Sequence, residues 1–164
     1  MNAVSAQAQE SGDQKVLRDL GRLDRLFVLT LRNWLDGTDG QVKVWNGLAT
    51  QLGAERARRI LRAFEAFLDA IAVGQKRCIS RHATCCPCLG ADEALLADLV
   101  RDAAEGDAGS AATRAAGIVI DTHLLEVLRN AETLGLLLRE IDGCDPATPG
   151  GVLKTQMPRA SRLH

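Results

Sequence analysis

The spacing of apolar residues is the feature that most restricts how this chain can fold. In five segments the apolar side chains recur three and four positions apart, which places them on one face of an α-helix. No segment shows the sustained apolar–polar alternation of a strand. The sequence therefore predicts an all-α fold, a bundle of five or six helices. The apolar positions are Val16, Leu17, Leu20, Leu23, Phe27, Leu31 and Trp34; Val44, Trp45, Leu48, Ala49 and Leu52; Ala57, Ile60, Leu61, Phe64, Leu68 and Ile71; Leu95, Leu96, Leu99, Val100 and Ala103; and Leu124, Leu125, Leu128, Ala131, Leu134, Leu138 and Ile141.

Glycine-containing segments separate these stripes and mark the predicted helix ends. The sequence DGTDG (36–40) stops the first helix, and EGDAG (105–109) stops the fourth. The last helical region is expected to be interrupted near Asp121, a residue type that begins helices well. Most charged residues of the first helix, Arg32 among them, are predicted to lie away from its apolar face.

Chain length and composition indicate one domain with short extensions. Residues 13–143 are predicted to form a single helical bundle, and residues 1–12 and 144–164 are predicted to be flexible tails. The N-terminus lacks the basic and apolar regions of a signal peptide, and no apolar run approaches the roughly 20 residues that cross a bilayer. The chain is therefore expected in the cytoplasm without membrane contact, where thiols are kept reduced.

A cysteine-rich segment interrupts the helical pattern between the third and fourth helices. Four of the five cysteines lie within residues 78–88. Thiolates and an imidazole at short spacings are the ligands of tetrahedral zinc sites. A metal site is therefore predicted, with zinc favoured and an iron–sulfur cluster or haem as alternatives. Its candidate ligands are Cys78, His82, Cys85, Cys86 and Cys88.

Two features qualify this metal hypothesis. A typical zinc signature has a second, separate ligand pair, which is missing here, and His123, Asp92 or Glu93 could complete the site. Haem would instead bind through the thiolate of Cys86, because Cys86 and Pro87 form a short Cys-Pro motif. The side chains of neighbouring cysteines diverge, so one of Cys85 and Cys86 is expected to be spared.

The same cysteines also support a redox hypothesis. They precede a predicted helix N-terminus, whose positive end stabilises a thiolate, and Arg77 and Arg81 add positive charge. A thiol with a lowered pKa is nucleophilic and oxidisable, and a nearby cysteine can resolve the oxidised product. The remaining alternative is packing, because cysteine is among the residue types most often buried.

Residues 44–62 carry a separate hypothesis. The sequence LATQLG (48–53) resembles the first half of the helix-turn-helix of DNA-binding repressors, with Gly53 in the turn. Four arginines on the next helix would face phosphates or guanine edges: Arg56, Arg58, Arg59 and Arg62. Against this, Arg59 stands where the motif has an apolar anchor, and the net charge of −1 gives no overall attraction to DNA. The alternative is that these arginines form the solvated face of a bundle helix.

The function predicted from these features is regulatory rather than catalytic. The sequence contains no phosphate-binding loop, nucleophile elbow or zinc-protease motif. We predict a small regulatory or accessory protein whose segment 78–88 binds a metal ion or senses redox state. The alternatives are a DNA-binding regulator that uses residues 44–62 and a helical interaction module with purely structural cysteines. A protein partner or a homo-oligomer is expected, with DNA as an alternative partner.

Overall fold

Six α-helices make up most of the structure, a computed structural model that describes residues 16–142. The helices are α1 (Arg22–Trp34), α2 (Thr38–Leu52), α3 (Ala54–Gly74), α4 (Ala91–Glu105), α5 (Ala108–Ala116) and α6 (Asp121–Asp142), and a 3-10 turn (Leu17–Asp19) precedes α1. Residues 16–142 contain no strand, so the predicted all-α bundle is confirmed. The two predicted tails and Cys144 lie outside the described residues.

Aromatic side chains join α1 to α3 at the centre of the core. The ring centroid of Phe27 lies 5.9 Å from that of Phe64 and 6.1 Å from that of Phe67. Trp34 meets Phe64 at 5.9 Å. All three contacts are edge-to-face, the arrangement in which the positive ring edge meets the negative ring face. These four side chains are most of the chain's five aromatic residues, so the remaining core is aliphatic.

The other helices pack in pairs around this centre. Helix α3 packs against α2 and α6, while α4 packs against α1, α5 and α6. A glycine permits the close approach of α6 to α4, because a Cβ at Gly135 would lie only 2.5 Å from the carbonyl oxygen of Val100. Gly40 serves the contact of α2 with α1 in the same way, since a Cβ added there would overlap the carbonyl oxygen of Asn33.

The structure corrects several of the predicted helix boundaries. The predicted first helix does not run continuously, because Val16 is extended and α1 begins only at Arg22. Helix α2 begins at Thr38, within the segment predicted as a break, after Gly37 reverses the chain with φ +95°. The predicted interruption near Asp121 is confirmed, because α6 begins there.

The burial of two side chains is the reverse of what the sequence predicts. Leu125 was expected on the apolar face of α6, yet it is 59% exposed. Arg32 was expected away from the apolar face of α1, yet it is fully buried. Arg32 follows the buried Leu31 and lies four residues after the buried Val28, which places it on the inward side of the helix.

The segment between α3 and α4, residues 75–90, is here called the cysteine loop, and it is tied down at both ends. At its start, the Lys76 amide donates to the carbonyl of Ile118 at 2.8 Å, and the Ile120 amide donates to the carbonyl of Gly74 at 2.8 Å. At its end, the Leu17 amide donates to the carbonyl of Pro87 at 2.8 Å. Backbone partners distant in sequence therefore fix where the cysteines lie.

Within residues 16–142, none of the helices combines the length and the apolar character that crossing a membrane requires.

Candidate functional site in the cysteine loop

The side chain of Arg32, on α1, holds the cysteine loop in place through hydrogen bonds. Its Nε donates to Oε1 of Glu93 at 2.7 Å, and Nη2 donates to Oε2 at 2.6 Å. Nη1 donates to the carbonyl oxygens of Ala83 at 3.3 Å and Cys86 at 2.6 Å, and Nη2 also donates to that of Cys88 at 2.6 Å. A guanidinium has five N–H groups, so every donor of this buried side chain is used.

Glu93 completes the arrangement from the first turn of α4. Both of its oxygens accept a backbone amide in addition to Arg32: Oε1 accepts from His82 at 3.0 Å and Oε2 from Gly90 at 2.8 Å. Burial by itself would raise the pKa of Glu93, but the hydrogen bonds from Arg32, Gly90 and His82 outweigh it and lower the pKa below its usual value. Glu93 therefore remains charged inside the protein.

Three consecutive carbonyl groups of the loop are held by these contacts. The carbonyls of Cys86 and Cys88 accept from Arg32, and the carbonyl of Pro87 between them accepts from Leu17. The proline ring further restricts the backbone by fixing φ. The backbone of residues 86–88 therefore has little freedom, and the two cysteine side chains stay close to each other.

The thiol groups of Cys86 and Cys88 form a pair with a Sγ–Sγ distance of 3.0 Å. Hydrogen bonds from the thiol and backbone amide of Cys88, together with the charge of Arg32, lower the pKa of Cys86 below its ordinary value. The same sulfur–sulfur hydrogen bond raises the pKa of Cys88, and burial adds to this effect. The pair therefore loses its first proton more readily from Cys86 than from Cys88, and the proton that remains lies in the sulfur–sulfur hydrogen bond.

The positive charge near this pair is not the one predicted from sequence. Arg77 lies in a bidentate ion pair with Asp92, at 2.8 and 2.5 Å. Arg81 donates to the carbonyl of Leu35 at 2.9 Å and lies 3.9 Å from Asp36. The cation that acts on the thiols is Arg32, although the sequence predicts it on the polar side of α1. The signal in the sequence for its burial is its position four residues after the apolar Val28.

The other predicted metal ligands do not join Cys86 and Cys88. Cys78 and Cys85 are exposed, and among residues 16–142 no group of three or more His, Cys, Asp or Glu side chains is arranged to hold one ion. Cys86, rather than Cys85, is the member of the adjacent pair that faces Cys88. The zinc and iron–sulfur hypotheses, with Cys78, His82, Cys85, Cys86 and Cys88 as candidate ligands, and the haem hypothesis, with Cys86, stay predictions.

Two of the three residues expected to complete a metal site, Glu93 and Asp92, are engaged in ion pairs. Glu93 is paired with Arg32, and Asp92 binds Arg77 and accepts from the Ser80 amide at 2.7 Å. His123 packs against Gly74, where an added Cβ would lie 2.5 Å from the Cβ of His123. These three side chains therefore have structural contacts of their own.

The arginines of the DNA-binding hypothesis are exposed on α3: Arg56, Arg58, Arg59 and Arg62. Arg58 pairs with Glu55 at 2.8 Å, and Arg59 lies 4.0 Å from Glu140. Helices α2 and α3 are joined through Gly53 alone, whereas the turn of a helix-turn-helix usually has three to four residues. The DNA-binding hypothesis stays a prediction.

Comparison with known proteins adds no further constraint: no protein-family model, curated protein or solved structure matches this chain. Fold and site together define a helical bundle in which a buried arginine–glutamate pair supports a partly exposed thiol pair. The chemistry of that pair is therefore the basis on which a function has to be argued.

Proposed function

We propose that this protein is a small regulatory or accessory protein that senses oxidants by forming a reversible disulfide between Cys86 and Cys88. The observation that carries this proposal is the 3.0 Å separation of the two sulfur atoms in a restrained backbone. A disulfide bond is about 2.05 Å long, so the sulfurs need to approach by only about 1 Å. The lowered pKa of Cys86 supplies the thiolate that reacts with oxidants.

The reaction with a hydroperoxide takes two steps. The Cys86 thiolate attacks one peroxide oxygen, which breaks the O–O bond, forms a sulfenic acid and releases hydroxide or alkoxide. The sulfur of Cys88 then attacks the sulfenic sulfur, which forms the S–S bond and expels the hydroxyl group as water. The two thiols lose two electrons and two protons, and hydrogen peroxide becomes two molecules of water. A reducing dithiol restores both thiols by exchange.

Oxidation would be transmitted through the backbone of residues 86–88. A disulfide replaces the S–H hydrogen bond and constrains the segment whose carbonyls bind Arg32 and Leu17. The contact of Leu17 with Pro87 lies at the edge of the bundle, so its rearrangement would change a surface that a protein partner can recognise. A resting state with free thiols requires a reducing compartment, and a cytoplasmic location is part of this proposal.

Peroxide treatment of the reduced protein, followed by mass spectrometry, tests the proposal. The expected product has lost two hydrogen atoms, its disulfide maps to Cys86 and Cys88, and dithiothreitol reverses the change. Cys78→Ser and Cys85→Ser are matched controls that should still form the disulfide, whereas Cys86→Ser and Cys88→Ser should not. A disulfide through Cys78 or Cys85, or irreversible oxidation alone, would contradict the proposal.

The single variants also separate the two roles. Cys88→Ser should accumulate a sulfenic acid on Cys86 that dimedone traps, because the resolving thiol is missing. Cys86→Ser should give less of this adduct on Cys88, because the thiol with the lowered pKa is missing. If no variant differs from the parent in reactivity, the cysteines only pack, and the interaction-module alternative is favoured.

A further inference from the structure

A groove of about 970 Å³ lies where α1, α3 and the start of the cysteine loop meet. This volume is within the usual range of ligand pockets, about 300–1,000 Å³. The apolar side chains on its surface that still meet solvent are the exposed Leu35 and the half-buried Trp34, Leu68 and Ile79, whereas Leu31, Ile71 and Leu96 are already buried. Because four apolar side chains remain partly exposed here, a ligand with apolar groups would gain by covering them.

The charges on this groove have one sign. Glu65 and Asp69 line it, four residues apart on the same face of α3, and both are exposed. Neither carboxylate forms an ion pair within residues 16–142, and the lining residues of the described groove include no lysine or arginine. Trp34 adds an indole, which attracts cations more strongly than the other aromatic side chains do.

We infer that this groove binds a lipophilic organic cation, such as a quaternary ammonium or phosphonium compound with aromatic or alkyl substituents. The substituents cover the apolar surface, and the positive charge lies near Trp34 and the carboxylates of Glu65 and Asp69. An anion of the same shape is rejected because it meets two unpaired negative charges. This inference is independent of the thiol chemistry of Cys86 and Cys88, since neither residue lines the groove.

A thiol on the groove gives a local readout. Cys78 is exposed and lines the groove, whereas Cys85 is exposed but does not line it. A bound ligand should therefore slow the alkylation of Cys78 and leave that of Cys85 unchanged. The comparison places the ligand in the groove and excludes a general effect on thiol reactivity.

The test uses tetraphenylphosphonium and tetraphenylborate, which share a shape and carry opposite charges. The full chain is reduced, and Trp45→Phe leaves Trp34 as the fluorescent reporter, because Trp34 lines the groove and Trp45 does not. Tetraphenylphosphonium should change the emission of Trp34 with saturation and slow the alkylation of Cys78. Tetraphenylborate should bind at least about tenfold more weakly, and added salt should reduce the difference.

Removal of the two carboxylates checks the source of this preference. The variant Glu65→Gln/Asp69→Asn should bind tetraphenylphosphonium about tenfold more weakly, whereas Glu132→Gln, an exposed carboxylate on α6, should bind it like the parent. Equal binding of both probes, unchanged affinity of the double variant or absence of saturable binding overturns the inference. These variants lie on exposed positions, so circular dichroism is expected to match the parent.

Discussion

Arg32 donates every guanidinium hydrogen to acceptors in a loop and a helix that lie 51–61 residues later in the chain. A charge removed from water costs several kcal/mol, and only complete hydrogen bonding with a counter-ion offsets that cost. Glu93 supplies the counter-ion, and three loop carbonyls accept the remaining donors. The position of the thiols therefore depends on one side chain of α1.

Replacement of this residue is the prediction at the residue scale. Arg32→Met should lower the free energy of unfolding by about 3–5 kcal/mol, because Glu93 remains buried without a counter-ion. Urea unfolding measures this difference. The double variant Arg32→Met/Glu93→Leu should recover part of the loss, since no charge is left buried, but the loop carbonyls still lack their donors. A single variant as stable as the parent would show that the ion pair does not hold the loop.

Helices α4 and α6 approach closely because α6 carries a glycine, Gly135, where it meets Val100 and Ala104 of α4. A Cβ at Gly135 would lie 2.5 Å from the carbonyl oxygen of Val100 and 2.6 Å from the Cβ of Ala104. Backbone atoms cannot rotate away as a long side chain can, so an added methyl group must separate the helices. At the element scale, packing therefore favours glycine at this position, whereas helix propensity favours alanine.

Gly135→Ala tests this balance. Although alanine is the better helix former, we expect a loss of about 1–3 kcal/mol in the free energy of unfolding from overpacking. Gly47→Ala is the matched control on α2: a Cβ there meets no atom within 4 Å, so helix propensity alone should stabilise the protein by up to about 1 kcal/mol. If both variants gain stability in urea unfolding, the tight contact of α4 and α6 is wrong.

Over the whole molecule, buried or capped carboxylates link stability to pH. Hydrogen bonds from Arg77 lower the pKa of Asp92, and those from Ser110 lower the pKa of Asp107. Hydrogen bonds also lower the pKa of Glu93, against the effect of its burial. In the unfolded chain such groups titrate near 3.9–4.3. The unfolded state therefore takes up protons first as the pH falls, so acid favours unfolding.

The resulting prediction concerns acid unfolding. The free energy of unfolding should be nearly constant above about pH 5 and fall as the pH drops through about 4.3 toward the lower pKa of folded Glu93. Glu93→Gln should be less stable at neutral pH, because Arg32 loses its counter-ion, and its stability should depend less on pH. Urea midpoints measured from pH 3 to pH 7 provide the comparison. Parallel pH profiles for parent and variant would contradict a lowered pKa of Glu93.

The helices could be predicted because the information that forms them is local. The hydrogen bonds of α3 and α6 join residues four apart, and their apolar stripes show directly in the sequence. The loop between α3 and α4 was identified for the same reason, since Pro87 and Gly90 are unsuited to a helix interior. The cysteines were therefore correctly placed in a loop before a helix.

What the tertiary structure decided involves partners far apart in the chain. Val16 was predicted in a helix but bridges Cys88, and Arg32 was predicted on a polar face but pairs with Glu93, 61 residues away. Nothing within a few residues of either one specifies these partners. Periodicity records which face of a helix is apolar, whereas a buried charge is stable only where another element brings its counter-ion. The sequence by itself determined the helices and the loop. Only the packing of the helices determined that Arg32 lies against the loop that carries the Cys86–Cys88 pair.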